Sequence, residues 1–475
     1  MTATVESRPD GRLAGQVPDA NDPGLLSPAQ TSLLTDQYEL AMASSYLGRG
    51  MNEPAVFELF ARHLPARRRW LLAAGLGPAL AIARAMKFGE DELAYLSSLG
   101  FGASFLEYLA NFRFSGDIDA MPEGTIAFAG EPLVRVTAPR VEAQLLETLL
   151  LNQINFETMV ATKAARIALA AGSAGPAGER LVDFSPRRDH GTDAAMKAAR
   201  AAAIAGSSGT SNLAAAMRYG LAPMGTMAHS YVMSFEHEED AFRAFMEDFP
   251  GNAVMLVDTY DTVEGVRRAI TAARSTGVSL AGVRLDSGDL LDLSKQTRAL
   301  LDEAGMTGAV IVVSGDLEEN QISQLTAARA PIDSFGVGTD LGTSRDSPVV
   351  NGIYKLVAHR VGGSWRDVRK RSPEKATVPG AKQVFREYVD GEMHADVIAR
   401  VEEQLPGRPL LVPFVRGGRP VREETLEQMR DRARAELLAL PSDLWAPDGE
   451  GRAYPVAYSD RCRAGLAAVD AREPR

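Results

Sequence analysis

The chain has 475 residues, 45% hydrophobic and 24% charged, with 51 Lys plus Arg against 62 Asp plus Glu and a formal net charge of -11. That length exceeds what one hydrophobic core supports, so two domains are expected. The acidic balance excludes a general nucleic-acid or anionic-membrane surface, though local basic clusters remain free to take a small anion. The single cysteine, Cys462, excludes an intramolecular disulfide and a thiolate metal cluster. No apolar run approaches the roughly 20 residues that span a bilayer. Pro, Asp and Gly stand where a signal peptide would carry its apolar core. A soluble, cytoplasmic protein is expected.

Residues 1–30, rich in Pro, Gly, Asp and Ser, read as a flexible tail. Thr35 or Asp36 is placed to cap a helix running through Ala41, Met42 and Tyr46, with Tyr38 in its first turn. Val56-Phe57-Glu58-Leu59-Phe60 reads as a strand, followed by the basic cluster Arg62, His63, Arg67, Arg68 and Arg69. Helical patterns occupy 71–86 and 90–99. Thr125-Ile126-Ala127-Phe128 and Leu133-Val134-Arg135-Val136 read as strands joined by Gly130-Glu131-Pro132. Residues 31–150 thus read as an N-terminal α+β domain, from which a long helix over 142–171 leads out.

From residue 180 apolar strand-like runs alternate with helical ones. Leu181-Val182-Asp183 precedes a polar loop holding Arg187 and Arg188, then an Ala-rich helix over 194–205. Further strands are expected at 253–258, 280–286, 309–314 and 334–338, with helices over 262–273, through Leu301 and through Ala328. Their closing polar residues, Asp258, Asp286, Ser314 and Thr339, are separated by 28, 28 and 25 residues. One strand, one turn and one helix fill such a step, the rhythm of a parallel sheet covered by helices. The count of units predicts an α/β fold with an irregular (β/α) barrel over 151–360, whose chemistry gathers at the strand ends. Beyond it, 353–357 reads as a strand, 372–386 as a basic loop and strand, and 423–438 as a helix. Residues 361–475 are expected to return to the N-terminal domain and complete it.

Several strand ends suit phosphate and carboxylate chemistry. Asp286-Ser287-Gly288-Asp289 places two carboxylates around a hydroxyl at a turn, fit for Mg²⁺ shared with substrate phosphates, for sugar hydroxyls, or for helix capping. Ser314-Gly315-Asp316 and Gly336-Val337-Gly338-Thr339 are small turns that let backbone N–H groups approach a phosphate. Arg187, Arg188 and Arg284 offer guanidinium forks. Arg284 lies inside an apolar strand, where an unpaired charge is costly. His229, one of only six histidines, sits in Gly225-Thr226-Met227-Ala228-His229-Ser230. Imidazole there serves as a base or nucleophile near neutral pH, or as a core residue satisfied by a backbone carbonyl.

Taken jointly, these stretches closely resemble the nicotinate phosphoribosyltransferase family over residues 30–390. The carriers are Leu34-Thr35-Asp36-Gln37-Tyr38, Arg187-Arg188 with His190-Gly191, the 225–230 stretch, Val283 to Asp289, Gly336 to Thr339, and Gly352-Ile353-Tyr354-Lys355-Leu356. The resemblance implies formation of nicotinate mononucleotide and diphosphate from nicotinate and 5-phosphoribosyl 1-diphosphate, a salvage step toward NAD. It implies coupled ATP hydrolysis, Mg²⁺, and a homodimer whose N-terminal domain contributes to the partner's site. It gives His229 the role of a transient phosphohistidine. Tyr38, Thr226 and Arg284 would meet nicotinate, with Arg187 or Arg188 nearby. Thr339 and its glycines Gly336 and Gly338, with Ser314 and Gly315, would hold phosphate, and Asp286 and Asp289 would lie close to diphosphate and Mg²⁺. The chain departs from the family pattern at Phe184-Ser185-Pro186, where a glycine is expected soon after the phenylalanine. Pro186 stiffens that loop and leaves the choice between Arg187 and Arg188 open.

Three rivals share parts of this pattern. A nicotinamide- or quinolinate-using relative would keep the architecture, but Arg284 with Tyr38 suits a single carboxylate. A sugar-phosphate lyase or isomerase would want a lysine at a strand end, and none of those strand ends has one. A non-catalytic sensor of phosphoribosyl ligands would keep the binding turns without turnover.

Overall fold

Short apolar segments pair into one parallel sheet because each carries a face that must be covered. The structure, a computed structural model, describes residues 26, 30–172, 180–372, 375–446 and 452–472. The expected tail over 1–30 lies outside the described residues except at positions 26 and 30. Across the sheet the strands run Gly209–Thr210, Leu181–Asp183, Ser334–Val337, Val310–Val313, Gly282–Leu285 and Val254–Leu256. Val283, Leu285, Ile311, Val313, Phe335 and Val337 are fully buried. Between them Arg284 and Val312, partners in register, face the other side and are only partly buried. The covering helices start at side-chain caps. Asp261 accepts from Glu264 N, Asp289 from Leu291 N and Asp292 N, and Glu318 forms a capping box with Gln321.

The strand order is the chain order closed on itself, since the last strand, Ser334–Val337, returns beside the first, Leu181–Asp183. The result is a mixed α/β fold with a curled parallel half-barrel. Strand pairing stops between Gly209–Thr210 and Val254–Leu256. The stretch approaching His229 enters that opening. Pro223 bridges Thr210 in parallel, Met224 N donates to Thr210 O at 2.9 Å, and Asn252 Nδ2 donates to Gly225 O at 3.0 Å.

A seven-stranded sheet forms the second body, in the order Ser364–Asp367, Gly352–Val361, Pro54–Ala61, Pro132–Pro139, Asp117–Ala120, Val412–Arg416 and Arg419–Pro420. Its two halves come from opposite ends of the chain: Gly352–Val361 pairs antiparallel with Pro54–Ala61, and Val412–Arg416 with Asp117–Ala120. Beside it, Arg408–Pro409, Lys382–Val389, Glu392–Arg400 and Val456–Tyr458 make a four-stranded sheet. The expected helix over 71–86 is instead a strand, Leu71–Leu72, and a helix, Leu76–Ala85. Gly75 makes the break: its φ is +92°, and a Cβ there would stand 2.5 Å from Gln153 O. The expected helix over 142–171 is divided into Arg140–Gln144 and the 24-residue Glu147–Ala170. On the latter, Thr158 and Thr162 accept from Ala74 N and Leu72 N at 3.2 and 2.9 Å, which lashes the N-terminal chain to its side. Among the described residues no helix is long and apolar enough to cross a membrane.

Buried ion pairs join segments that are distant in sequence. Arg200, on the Thr192–Ile204 helix, donates to Glu123 at 2.8 and 2.7 Å and to Glu157 at 2.7 Å. Glu123 also accepts from Gly75 N and Gly77 N, so one carboxylate caps a helix and holds the guanidinium. Burial pushes Glu157 up to about 7 even beside Arg200. Burial pushes Glu123 up as well, but Arg200 and the two N–H groups overcome it and hold the carboxyl below its usual range. Replacing Arg200 leaves two buried carboxylates without a counter-charge. Arg200→Met is therefore expected to lower the unfolding free energy by about 3–5 kcal/mol, read as a fall in the urea midpoint at unchanged slope.

Candidate active site

Four strand ends converge on one cleft of about 380 Å³, lined by Phe184, Arg187, Arg188, Arg284, Asp286, Ser287, Gly288, Ser314, Gly315, Gly336, Gly338 and Thr339 among others. Arg284 is its centre. A guanidinium on a strand must find partners for its N–H groups, and here Nε donates to Ser314 Oγ at 2.9 Å, Nη1 to Thr226 Oγ1 at 3.0 Å and Nη2 to Asp286 Oδ1 at 3.1 Å. The Phe184 ring lies 5.7 Å from the guanidinium carbon. That ring lies over the last strand only because residue 336 has no side chain: a Cβ on Gly336 would stand 2.5 Å from it.

Ser314 is buried, and its hydroxyl also donates to Asp286 in a short hydrogen bond. Burial pushes the Asp286 carboxyl upward, but the Ser314 hydroxyl, Arg284 and His229 together hold it below the usual carboxylate range. Asp258, at the end of the neighbouring strand, accepts from Asp286 N at 3.0 Å and Ser287 Oγ at 2.7 Å through Oδ2. Its Oδ1 is buried and has no hydrogen-bond partner.

His229 opens the short helix His229–Val232 at the mouth of this cluster. Its Nδ1 lies 3.2 Å from Thr259 Oγ1 and its Nε2 lies 3.9 Å from Asp286 Oδ2. The side chain is 40% exposed, so the reading of a core histidine satisfied by a backbone carbonyl does not hold. One ring nitrogen is oriented by a hydroxyl and the other faces a carboxylate, and the ring remains accessible.

The two arginines after Phe184 sit on a fixed turn. Arg188 N donates to Ser185 O at 2.7 Å, and buried Asp183 accepts from Ser185 N at 2.9 Å and Thr210 Oγ1 at 2.7 Å. Both arginines are exposed and both line the cleft. Gly315 has φ +88° and passes close to Asp286 O, and Thr339 begins a short helix, Thr339–Thr343.

Four expected site residues are not part of the cleft lining: Thr226 and His229 stand beside it, next to Arg284 and Asp286, and two lie farther off. Asp289 is the cap of Leu290–Glu303, its Oδ1 accepting from Leu291 N and Asp292 N at 3.1 Å each, and it borders an adjoining hollow with Gln321 and Gln324. Tyr38, half-exposed on the helix Gln37–Gly48, lies among Glu147, Glu39 and Asp36; burial first and then Glu147 push its hydroxyl pKa up. Neither lines the cleft. Among the described residues there is no group of three or more His, Cys, Asp and Glu side chains that could hold a metal ion. Phe184, Asp258 and Thr259 are site neighbours that sequence patterns left unassigned. Asp258 carried a signal as one of the regularly spaced strand-end residues.

The chain is similar in sequence and in fold to known nicotinate phosphoribosyltransferases. A model of the nicotinate phosphoribosyltransferase (NAPRTase) N-terminal domain matches residues 33–155, and a model of the nicotinate phosphoribosyltransferase (NAPRTase) family matches residues 180–390. A nicotinate phosphoribosyltransferase of Mycobacterium tuberculosis is 48% identical over 92% of this chain and 93% of its own. One from Bacillus subtilis is 44% identical over 81% of this chain and 79% of its own. The crystal structure of human nicotinic acid phosphoribosyltransferase superposes with a TM-score of 0.79 at 27% identity, covering 92% of this chain and 99% of that one.

Ser314→Ala is expected to raise the pKa of Asp286, because the hydroxyl is the strongest of the groups that hold the carboxylate ionised. A carboxyl ¹³C titration of the variant beside the parent protein reads the shift. An unchanged titration would assign the depression to Arg284 and His229.

Proposed function

The chain belongs to the nicotinate phosphoribosyltransferase family, and from that premise we propose how its cleft forms nicotinate mononucleotide in NAD salvage. The observation that carries the reading is the frame around Arg284, one guanidinium presented by two hydroxyls and a carboxylate. Nicotinate brings one carboxylate. Pairing it with Arg284 and Thr226 fixes the ring and turns its nitrogen toward the anomeric carbon of 5-phosphoribosyl 1-diphosphate. Gly336, Gly338, Thr339, Ser314 and Gly315 form the small-residue rim that suits the ribosyl phosphate and its neighbours. Arg187 and Arg188 supply cations on the same rim. The ring nitrogen attacks as the bond from the anomeric carbon to diphosphate breaks, and the electron pair leaves with diphosphate.

A carboxylate held ionised, Asp286, with the unpartnered Asp258 Oδ1 beside it, fits the one or two protein oxygens that Mg²⁺ usually takes alongside substrate phosphates. Bound there, Mg²⁺ would neutralise charge on departing diphosphate. With one oxygen engaged in its helix cap, Asp289 is the weaker ligand of the expected pair.

ATP enters through His229. Transfer of the γ-phosphoryl group forms a bond from an imidazole nitrogen to phosphorus and releases ADP, and hydrolysis of that bond resets the enzyme. A phosphoryl group on His229 concentrates negative charge next to Asp286, whose Oδ2 lies 3.9 Å from Nε2. That charge favours the state of the cleft that holds a metal-bound substrate, so coupling is a shift of population.

We read the enzyme as a homodimer of irregular barrels, each completed at its open side by the stretch around Pro223. Large apolar side chains support the association: Met217 is 86% exposed and Leu213 71%, both on the helix Leu213–Tyr219 after the sheet's edge strand. Tyr38 then serves the partner's cleft rather than its own.

The deciding assay follows nicotinate mononucleotide from nicotinate, 5-phosphoribosyl 1-diphosphate and Mg²⁺, with and without ATP, beside a nicotinamide control. Product from nicotinate, increased by ATP, is the expected result; product from nicotinamide alone would overturn the role of Arg284. His229→Ala should abolish the ATP increment and leave slow ATP-independent transfer, and an undiminished increment would remove the phosphohistidine. Arg284→Lys keeps the charge but loses the fork, so the KM for nicotinate should rise about 10²-fold.

A further inference from the structure

We propose that Lys163, on the long helix behind the cleft, is a positioning residue that ties its two phosphate-facing turns into one rigid unit. The proposal rests on the assignment of those turns to the phosphoribosyl substrate. The Lys163 side chain is 1% exposed, and its Nζ lies 2.5 Å from Glu319 Oε2, 3.0 Å from Asp346 Oδ1 and 3.6 Å from Asp340 Oδ1. Two of those acids follow cleft-lining residues closely in the chain. Glu319 follows the Ser314–Leu317 turn by two residues, and Asp340 follows Thr339 by one; Leu317 and Thr339 both line the cleft.

An outer layer locks the hub. Arg166 pairs with Glu319 at 2.8 Å. Arg68 forks onto Asp346 at 2.7 and 2.9 Å and reaches Ser344 Oγ at 2.9 Å. Three buried cations thus face three carboxylates, and Asp340 also takes the more exposed Arg345 at 2.8 Å; in this largely buried space Coulomb forces are strong and a shift of Lys163 weakens all three of its pairings. The Lys163 ammonium donates to Glu319 and Asp346 and pairs with Asp340 at longer range, so one cation bridges the segments that follow two cleft-lining turns. The turns therefore hold their spacing before substrate arrives, and no binding energy is diverted to ordering them. Lys163 touches no substrate; it acts through Glu319 and Asp340.

Steady-state kinetics on variants tests this. Asp340→Asn keeps the shape and removes the charge ties to Lys163 and Arg345, and Lys163→Met combined with Glu319→Gln removes the hub while keeping the buried charge nearer balance. Both should raise the KM for 5-phosphoribosyl 1-diphosphate about tenfold and leave the KM for nicotinate within about twofold. A purely structural role would lower thermal stability and spare that ratio. An unchanged KM for the diphosphate substrate in cooperatively folded Asp340→Asn overturns the proposal. Thr339→Val separates the two assignments: if it too leaves that KM unchanged, the reading of the turns as the phosphoribosyl site has failed, whereas a rise confined to Thr339→Val means that the hub alone is wrong.

Discussion

A guanidinium fixed in a parallel strand sets the terms for the whole cleft. Arg284 cannot be left without partners at that depth, and each partner it takes comes from a different strand end or loop. Ser314 closes the next strand, Asp286 closes its own, and Thr226 belongs to the stretch that fills the opening in the sheet. Satisfying one partly buried charge thereby brings three separate segments to a common point. The same bonds hold Asp286 ionised, and Asp286 in turn stands beside His229. Removing the arginine would undo the reason these groups meet.

The wider architecture repeats the device at its joints. Arg200 joins the covering helix of the parallel sheet to Glu123 and Glu157, and Arg386, fully buried, pairs with Asp396 on the neighbouring strand at 2.6 Å and ties that strand pair to Glu436 on the helix Leu426–Ala439 at 2.8 Å. Buried pairs of this sort add little net stability over apolar packing, but breaking one is costly, so they fix which surfaces meet. Apolar contact alone would permit sliding between the long helix and its neighbours. Charged joints at defined positions do not.

The parallel sheet was legible because its signal is local and repeated. Strands of four or five apolar residues end in a polar one, and a helix follows at a nearly constant interval. Arg284 announced itself as a charge in an apolar run. Features set by distant contacts were not legible. Nothing near Gly75 foretells that Gln153 O will occupy the place of its Cβ and break a helical pattern there. Phe184 reads as an ordinary apolar residue until Gly336 is seen beneath its ring. The edge strand Gly209–Thr210 has two residues, too few for any periodicity. Asp289 shows the limit most sharply: its letters fit a cap and a ligand equally, and the backbone decides for the cap at one oxygen.

The frame around Arg284 also bears on which base the cleft prefers. In the free protein every terminal nitrogen of the guanidinium has a partner, but two of its partners are hydroxyls, which turn easily between donor and acceptor. On the proposed pairing an entering carboxylate accepts from the arginine and takes a hydrogen bond from the Thr226 hydroxyl, while the Ser314 hydroxyl keeps its one proton on Asp286. A carboxamide offers one acceptor and an NH₂ group that would point its donors at other donors. On that pairing a partly buried cation is left incompletely paired, a penalty larger than the small difference in size between the two bases. On the proposed pairing, selection for nicotinate over nicotinamide follows from the cost of leaving Arg284 unpaired, the same cost that draws the surrounding groups together.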